Sequence, residues 1–175
     1  MGSAFERLSG PGERHRALSP LIGAWRVAMA THGADGRTTR SEEIRARKDW
    51  FGDGRYVREE VSGTFAGVPH AKLTLLGFNN LRHRYEYVTA DNYDAVLLLH
   101  TSAAGVEPGD PGRIEVFAEY VEAGEGEQAS GTLILIRTVI EIVSDDHHLL
   151  RNLYRAPDRP EGRVPGDGVA GDRRI

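Results

Sequence analysis

The sequence predicts a mainly β protein, an antiparallel up-and-down β-barrel with a short N-terminal helix. Three observations carry that expectation. Nine short segments of alternating or apolar residues follow one another at nearly regular spacing, each closed by a cluster of Gly, Asp, Asn or Pro. Only one stretch has helical apolar spacing, so the chain has no βαβ rhythm. With 175 residues, the chain suits a single domain with one sizeable core. Sequential hairpins of this kind favour closure into a barrel, and roughly 8 to 10 strands enclose room for one small ligand.

Residues 1–12, with Gly10, Pro11 and Gly12, read as a loose arm. Over 13–22, Ala17, Leu18, Leu21 and Ile22 share one face of a short helix whose length Pro20 limits. Gly23 permits a bend, and Trp25 opens the first strand, 25–31, where it covers the base of the core. The second strand, 40–51, places Ile44, Ala46 and Trp50 against Arg45, Arg47 and Asp49. FGDGR is a tight hairpin turn into the third strand, 55–62. Further strands are expected at 71–79, 84–90, 93–101, 113–122, 132–143 and 147–155. The barrel domain is therefore 13–156, and the Pro-, Gly- and Asp-rich segment 157–175 is expected to be a flexible tail.

Composition narrows the function classes. The net charge of −4 gives no reason to expect a nucleic-acid or anionic-membrane partner. The absence of cysteine excludes disulfides, thiolate metal sites and Cys nucleophiles. The start MGSAFERLSG has no basic region followed by an apolar one, and no apolar run approaches a membrane span. A cytoplasmic protein is expected, and the abundance of Gly, Ala and Arg is that of a high-GC bacterial coding sequence.

Several motifs carry a resemblance. His15, Leu18, Ile22, Gly23 and Trp25 approximate a helix-to-strand pattern H-x-x-L-x-x-L-x-G-x-W. WFGDGRYV (50–57), GTFAGVP (63–69), LGFNN (76–80), YEYVTADN (85–92) and GTLILIRTV (131–139) follow in order. Together they resemble the DUF1579 family over roughly residues 13–156. The resemblance implies a lipocalin-like barrel and no established activity, so no catalytic residue is carried over from it. The chain departs from the family pattern at His70, where the family has Phe, and at its end, which lacks the closing Tyr-x-Arg strand. A missing last strand would leave an open edge, which is the reason to expect a homodimer.

The chemistry-bearing residues are sorted by strand alternation. The seven histidines include no H-x-H pair, so no His-based metal site is expected. On the eighth strand, Ile134, Ile136, Thr138, Ile140 and Ile142 share one face, and Leu133, Leu135, Arg137, Val139 and Glu141 share the other. If the Arg137 face lines the interior, Arg137 must be paired, by Glu141 or by a ligand anion; if it faces solvent, the pair is an ordinary surface contact. Arg137, Glu141, His100 and Tyr87 are the candidate acid–base residues. Trp25, Trp50, Tyr56, Glu60, Tyr85, Phe117, Glu119, His148 and Tyr154 are the candidate ligand contacts. No phosphate-binding glycine loop and no nucleophile elbow is present in the sequence.

Three functional readings follow. The first is a barrel that binds a small, mostly apolar molecule in its cavity. The second is a cofactor-independent enzyme (a cyclase, isomerase or dehydratase of bacterial secondary metabolism) using acid–base residues in that cavity. The third is a haem-binding barrel. The leading expectation includes a small-molecule partner and no cofactor.

Overall fold

A computed structural model of the protein describes residues 8–33, 36–93, 96–103, 112–121, 131–156 and 167–175. The helical segment begins with α1 (Glu13–Arg16) and continues as a 3₁₀ turn over Ser19–Leu21. Pro20 sits in the first turn of that 3₁₀ segment, where its missing N–H costs nothing. The strands are β1 (Gly23–His32), β2 (Thr38–Phe51), β3 (Tyr56–Phe65), β4 (Val68–Asn79) and β5 (Arg84–Asp91). They continue as β6 (Leu98–Thr101), β7 (Arg113–Val121), β8 (Leu133–Ser144), β9 (His147–Arg155) and β10 (Asp167–Arg174).

Every strand pairs antiparallel with its sequence neighbours, and β10 pairs with both β9 and β1, so the sheet closes into a barrel. This is the up-and-down barrel expected from the sequence, with one strand more than its alternation marks. Two expectations are corrected by β10. Residues 167–174 of the expected flexible tail form a strand, and the open edge that motivated a homodimer does not exist. The strand DGVAGDRR hides its alternation because an ionic residue, Asp172, takes an inward position and a glycine, Gly171, an outward one, while backbone ladders to β1 and β9 hold it in the sheet. The sixth strand is shorter than expected, starting at Leu98 rather than 93. In the expected loose arm, residues 8–10 are tied down: Asn80 Nδ2 donates to the carbonyls of Leu8 and Gly10, and Arg55 Nε to that of Ser9.

The helical segment plugs one mouth. Leu18 and Leu21 pack against Val57, Leu76, Tyr85, Ile114, Val116 and Ile140 from the barrel wall. Trp25 fastens this plug to β1: it is fully buried, and its indole N–H donates to the Leu21 carbonyl at 2.9 Å. The Arg174 guanidinium lies over the indole at 5.2 Å and donates to the Ile22 carbonyl at 2.8 Å, so the plug is held from β10 as well. The β2–β3 turn is tight because Gly52, Asp53 and Gly54 all adopt positive φ, of 63°, 56° and 84°. No helix among the described residues is long and apolar enough to cross a membrane.

Candidate functional site

Strand alternation sends a chain of charged side chains into the barrel. On β2 the inward positions are Ile44, Ala46 and Lys48; on β3 they are Val57, Glu59 and Val61. Lys48 is paired in register with Glu59, and Glu59 with Thr74 on β4, so the three lie side by side across three strands. Asp172 on β10 and His148 on β9 are likewise direct partners. The four charged or basic groups meet near the barrel axis. Lys48 Nζ lies 3.0 Å from Glu59 Oε1 and donates to Asp172 Oδ2 at 2.8 Å. His148 Nε2 is in short contact with both Lys48 Nζ and Asp172 Oδ2, and its ring packs edge-on against Trp25 at 4.3 Å. Thr74 Oγ1 donates to the second Glu59 oxygen at 3.1 Å.

Each ion in this cluster is stabilised by the others. Burial disfavours the Lys48 ammonium, but Glu59 and Asp172 outweigh it and hold its pKa above the ordinary lysine range. Burial likewise disfavours both carboxylates. Lys48 and Lys72 nevertheless hold Glu59 low, and the hydrogen bond from His148 to Asp172, together with the Lys48 charge, brings Asp172 to about 2. His148 is held neutral chiefly by burial. The cluster is thus two carboxylates matched by Lys48 and by Lys72, whose Nζ lies 3.8 Å from Glu59 Oε2. The Lys72 ammonium is also hydrogen-bonded to the buried Tyr87 hydroxyl, whose pKa burial raises.

The cluster forms the floor of a cavity of about 230 Å3 at the end of the barrel away from the helical plug. Val27, Met29, Ile44, Val61, Leu150 and Ala170 form its apolar wall. Its polar lining is Glu59, Asp172, Lys72, His70, Asp91, Asn152, Tyr93 and Tyr154. His70 is 6 % exposed, its Nδ1 has no hydrogen-bond partner among the described residues, and its ring stacks on Tyr93 at 5.0 Å and 19°. Burial, and then the Lys72 charge, keep its imidazole neutral. Burial also drives the Tyr154 phenol up to about 12.

The sequence-derived candidates divide by face. Tyr85, Tyr87, His100, His148 and Tyr154 point inward. Among these, Tyr154 lines the cavity, while Tyr87 and His148 line a smaller space of about 30 Å3 between the cluster and the plug. His100 is buried beside Tyr87, within 3.3 Å of Thr138 Oγ1, and burial followed by the Lys72 charge lowers its pKa to about 4. Trp25 is inward but packs the base, as described above. Trp50 has inward parity opposite Val57, yet it sits at the rim and is 37 % exposed.

The remaining candidates are on the outside. Arg137 pairs with Glu115 across β7, at 2.6 and 3.0 Å, and its side chain is 43 % exposed. Glu141 contacts Arg113 and Arg151 on the same outer face. The interior face of β8 is the Ile134–Thr138–Ile140 face, so Arg137 and Glu141 do not reach the lumen. Tyr56, Glu60, Phe117 and Glu119 also point outward. The groups that do line the site, Lys48, Glu59, Lys72, His70 and Asp172, have a shared signal in the sequence: each sits two residues from an inward apolar or small residue on its own strand, or two from another of the set.

The solved structure of a redesigned β-barrel, mFAP1, bound to DFHBI, is 14 % identical to this chain; the match covers 91 % of this chain and 99 % of that one, with a TM-score of 0.39. No curated protein matches the chain. The family model described as "Protein of unknown function (DUF1579)" matches residues 10–163. That match spans the helical plug, the strands β1 to β9 and every cavity-lining residue except Ala170 and Asp172 of β10, and the chain belongs to the DUF1579 family.

Proposed function

We propose that the protein binds a small molecule inside the barrel, with an apolar body against Val27, Met29, Ile44, Val61 and Leu150 and a polar end on the charged floor. The observation that carries this reading is the cavity itself. It combines an apolar wall with convergent polar groups, one of which, His70 Nδ1, is buried without a partner among the described residues. The volume of about 230 Å3 is below the ~300–1,000 Å3 of pockets for drug-sized molecules, so the ligand is small. The same volume, above a floor filled by ion pairs, weighs against a haem.

A second reading is supported by one further observation. His70 lines the cavity with its pKa lowered by burial and its Nδ1 without a partner among the described residues, which suits a neutral imidazole that accepts a proton in cofactor-independent acid–base chemistry. In that case Lys72 and His70 are the cavity groups that would polarise or move protons, with Tyr87 hydrogen-bonded behind Lys72, in place of Arg137 and Glu141.

The test is native mass spectrometry of the protein purified without added ligand, followed by the same measurement on Val61→Trp, which fills the cavity from its apolar wall. A small adduct lost on denaturation, and absent from the variant, supports the binding reading. An adduct retained by Val61→Trp overturns the assignment to this cavity.

A further inference from the structure

The outer surface of β1, β2, β9 and β10 carries an arrangement of charge that the cavity does not use. Arg26 on β1 is paired in register with Arg45 on β2 and with Arg173 on β10. Arg173 is paired in turn with His147 on β9. Three arginines and a histidine therefore stand in one row across four adjacent strands, at the ~4.8 Å interstrand spacing. Like charges directly opposite one another destabilise a sheet. Nevertheless, among the described residues Arg26, Arg45 and Arg173 make no ion pair or hydrogen bond. Asp146 in the β8–β9 turn accepts a hydrogen bond from Ser144 Oγ, and the charges of Arg173 and His147 help to lower its pKa, but it forms no ion pair with Arg173 among the described residues. All this occurs on a chain whose net charge is −4.

The row borders a surface groove of about 620 Å3. Its floor is Ala28 and Gly171, a directly paired couple with the smallest side chains available, and its walls are Arg26, Arg173, Arg174 and His147, with the apolar Ile175 at one side. At Gly171 even a methyl group would meet Leu149 Cδ2 at 3.4 Å. Arg174 is already engaged with the Pro20 and Ile22 carbonyls and with Trp25, which leaves it a fixed positive wall. Arg26 and Arg173 are left with free guanidinium forks, the geometry that takes two phosphate oxygens at once.

We propose that this groove binds the phosphate chain of a small oligophosphate. Several positive charges packed within a few strand spacings call for several negative charges in an equally compact group. A single carboxylate supplies too few. The carboxylates along one face of an extended acidic peptide repeat at ~6.6 Å, which does not match the row. A di- or triphosphate carries several negative charges in one compact chain, small enough to enter a groove of about 620 Å3. The site lies on the opposite side of the wall from the cavity: Gly171 and Arg173 face the groove, and Ala170 and Asp172 face the lumen.

The experiment is isothermal titration calorimetry of the whole protein with inorganic tripolyphosphate, in low salt with EDTA to remove metal-mediated binding. Arg26→Gln and Arg173→Gln are each expected to weaken binding about tenfold, in line with loss of a charge-assisted hydrogen-bond pair. Arg137→Gln, an arginine on the outer face of β8 that is already paired with Glu115 and does not line the groove, is expected to leave it unchanged. A nucleoside triphosphate that binds more tightly than tripolyphosphate would assign the ligand to the nucleotides, and equal affinity would assign recognition to the phosphate chain alone. Amide chemical shifts of Ala28 and Gly171 should move on titration of the unsubstituted protein, which keeps the test independent of how the variants fold. Absence of binding at millimolar tripolyphosphate overturns the proposal. So does equal weakening by all three substitutions, which would mean attraction to arginine in general.

Discussion

Replacing Lys48 with Met tests whether the buried cluster is held together as described. The ammonium lies 2.8 Å from Asp172 and 3.0 Å from Glu59, with both carboxylates buried. At an effective dielectric of ~20 each contact is worth about 6 kcal/mol of attraction, most of which offsets the desolvation of the ions. Removing the cation leaves Asp172 with His148 alone, and Glu59 with Thr74 and the more distant Lys72. Breaking a buried pair in this way costs about 3–5 kcal/mol. The loss should depend on pH in a defined direction. In the unaltered protein Asp172 has a pKa of about 2, below the ~3.9 of an unfolded aspartate, so its stabilisation is fully present above ~4 and is lost as the pH falls through 2. In Lys48→Met, burial is no longer opposed by that cation, and both carboxylates titrate higher when folded. The deficit relative to the unaltered protein is therefore small near pH 2 and grows as the pH rises. Urea unfolding followed by tryptophan fluorescence, at several pH values from 3 to 7, measures it directly, since Trp25 is buried against the cluster. A deficit below about 1 kcal/mol at pH 7, or one that does not change with pH, would refute the account of the cluster.

Other substitutions separate the interior from the surface. Arg137→Ala removes an exposed pair with Glu115 and is expected to cost no more than about 1 kcal/mol by thermal denaturation, with no effect on any cavity ligand. His100 has a folded pKa of about 4 against ~6.5 unfolded, so the unfolded chain takes up the proton first. Stability should fall as the pH drops from 6.5 to 4, and His100→Gln should flatten that part of the profile; an imidazole that titrates near 6.5 by NMR contradicts this. Gly63→Ala places a methyl group 2.7 Å from the Ile44 Cα and closer still to the Glu43 carbonyl, both backbone atoms that cannot rotate away. It is expected to destabilise by about 1–3 kcal/mol in a urea titration, whereas Gly12→Ala, with nothing within 4 Å, should have little effect.

Most of the wall of the barrel is legible in the sequence because its strands alternate and end in turn residues. At β8 the parity alone separates Ile134, Ile136, Thr138 and Ile140 from Leu133, Leu135 and Arg137, although apolar residues occupy both sets. What parity does not say is which set faces inward. Arg137 invites an interior anchor role, and the answer lies in Glu115 on the neighbouring strand, visible only once register is known. The site was harder to read for the opposite reason. Lys48 and Glu59 are ionic residues at inward positions, and alternation treats an ionic residue as a marker of the outer face. On β3 that rule selects Tyr56, Arg58 and Glu60 and passes over Glu59. The partners that make the burial tolerable come from strands distant in sequence, such as Asp172. Its strand was hidden by glycines that leave room for neighbouring side chains rather than contributing alternation of their own.

The pairing of β10 with β1 joins Trp25 to Arg174, near the two ends of the chain. Loop closure on that scale yields no contacts until nearly all the intervening strands are in place, so the last ladder should form late, after the hairpins β2 to β9. During synthesis the Lys48 ammonium would be enclosed by neighbouring strands before the Asp172 carboxylate has emerged to meet it. Completion of the barrel and neutralisation of its interior are then a single event, and any intermediate lacking β10 carries both two unpaired edges and a buried charge. Such a species cannot be compact and stable at once, which makes folding of this barrel cooperative from one end of the chain to the other.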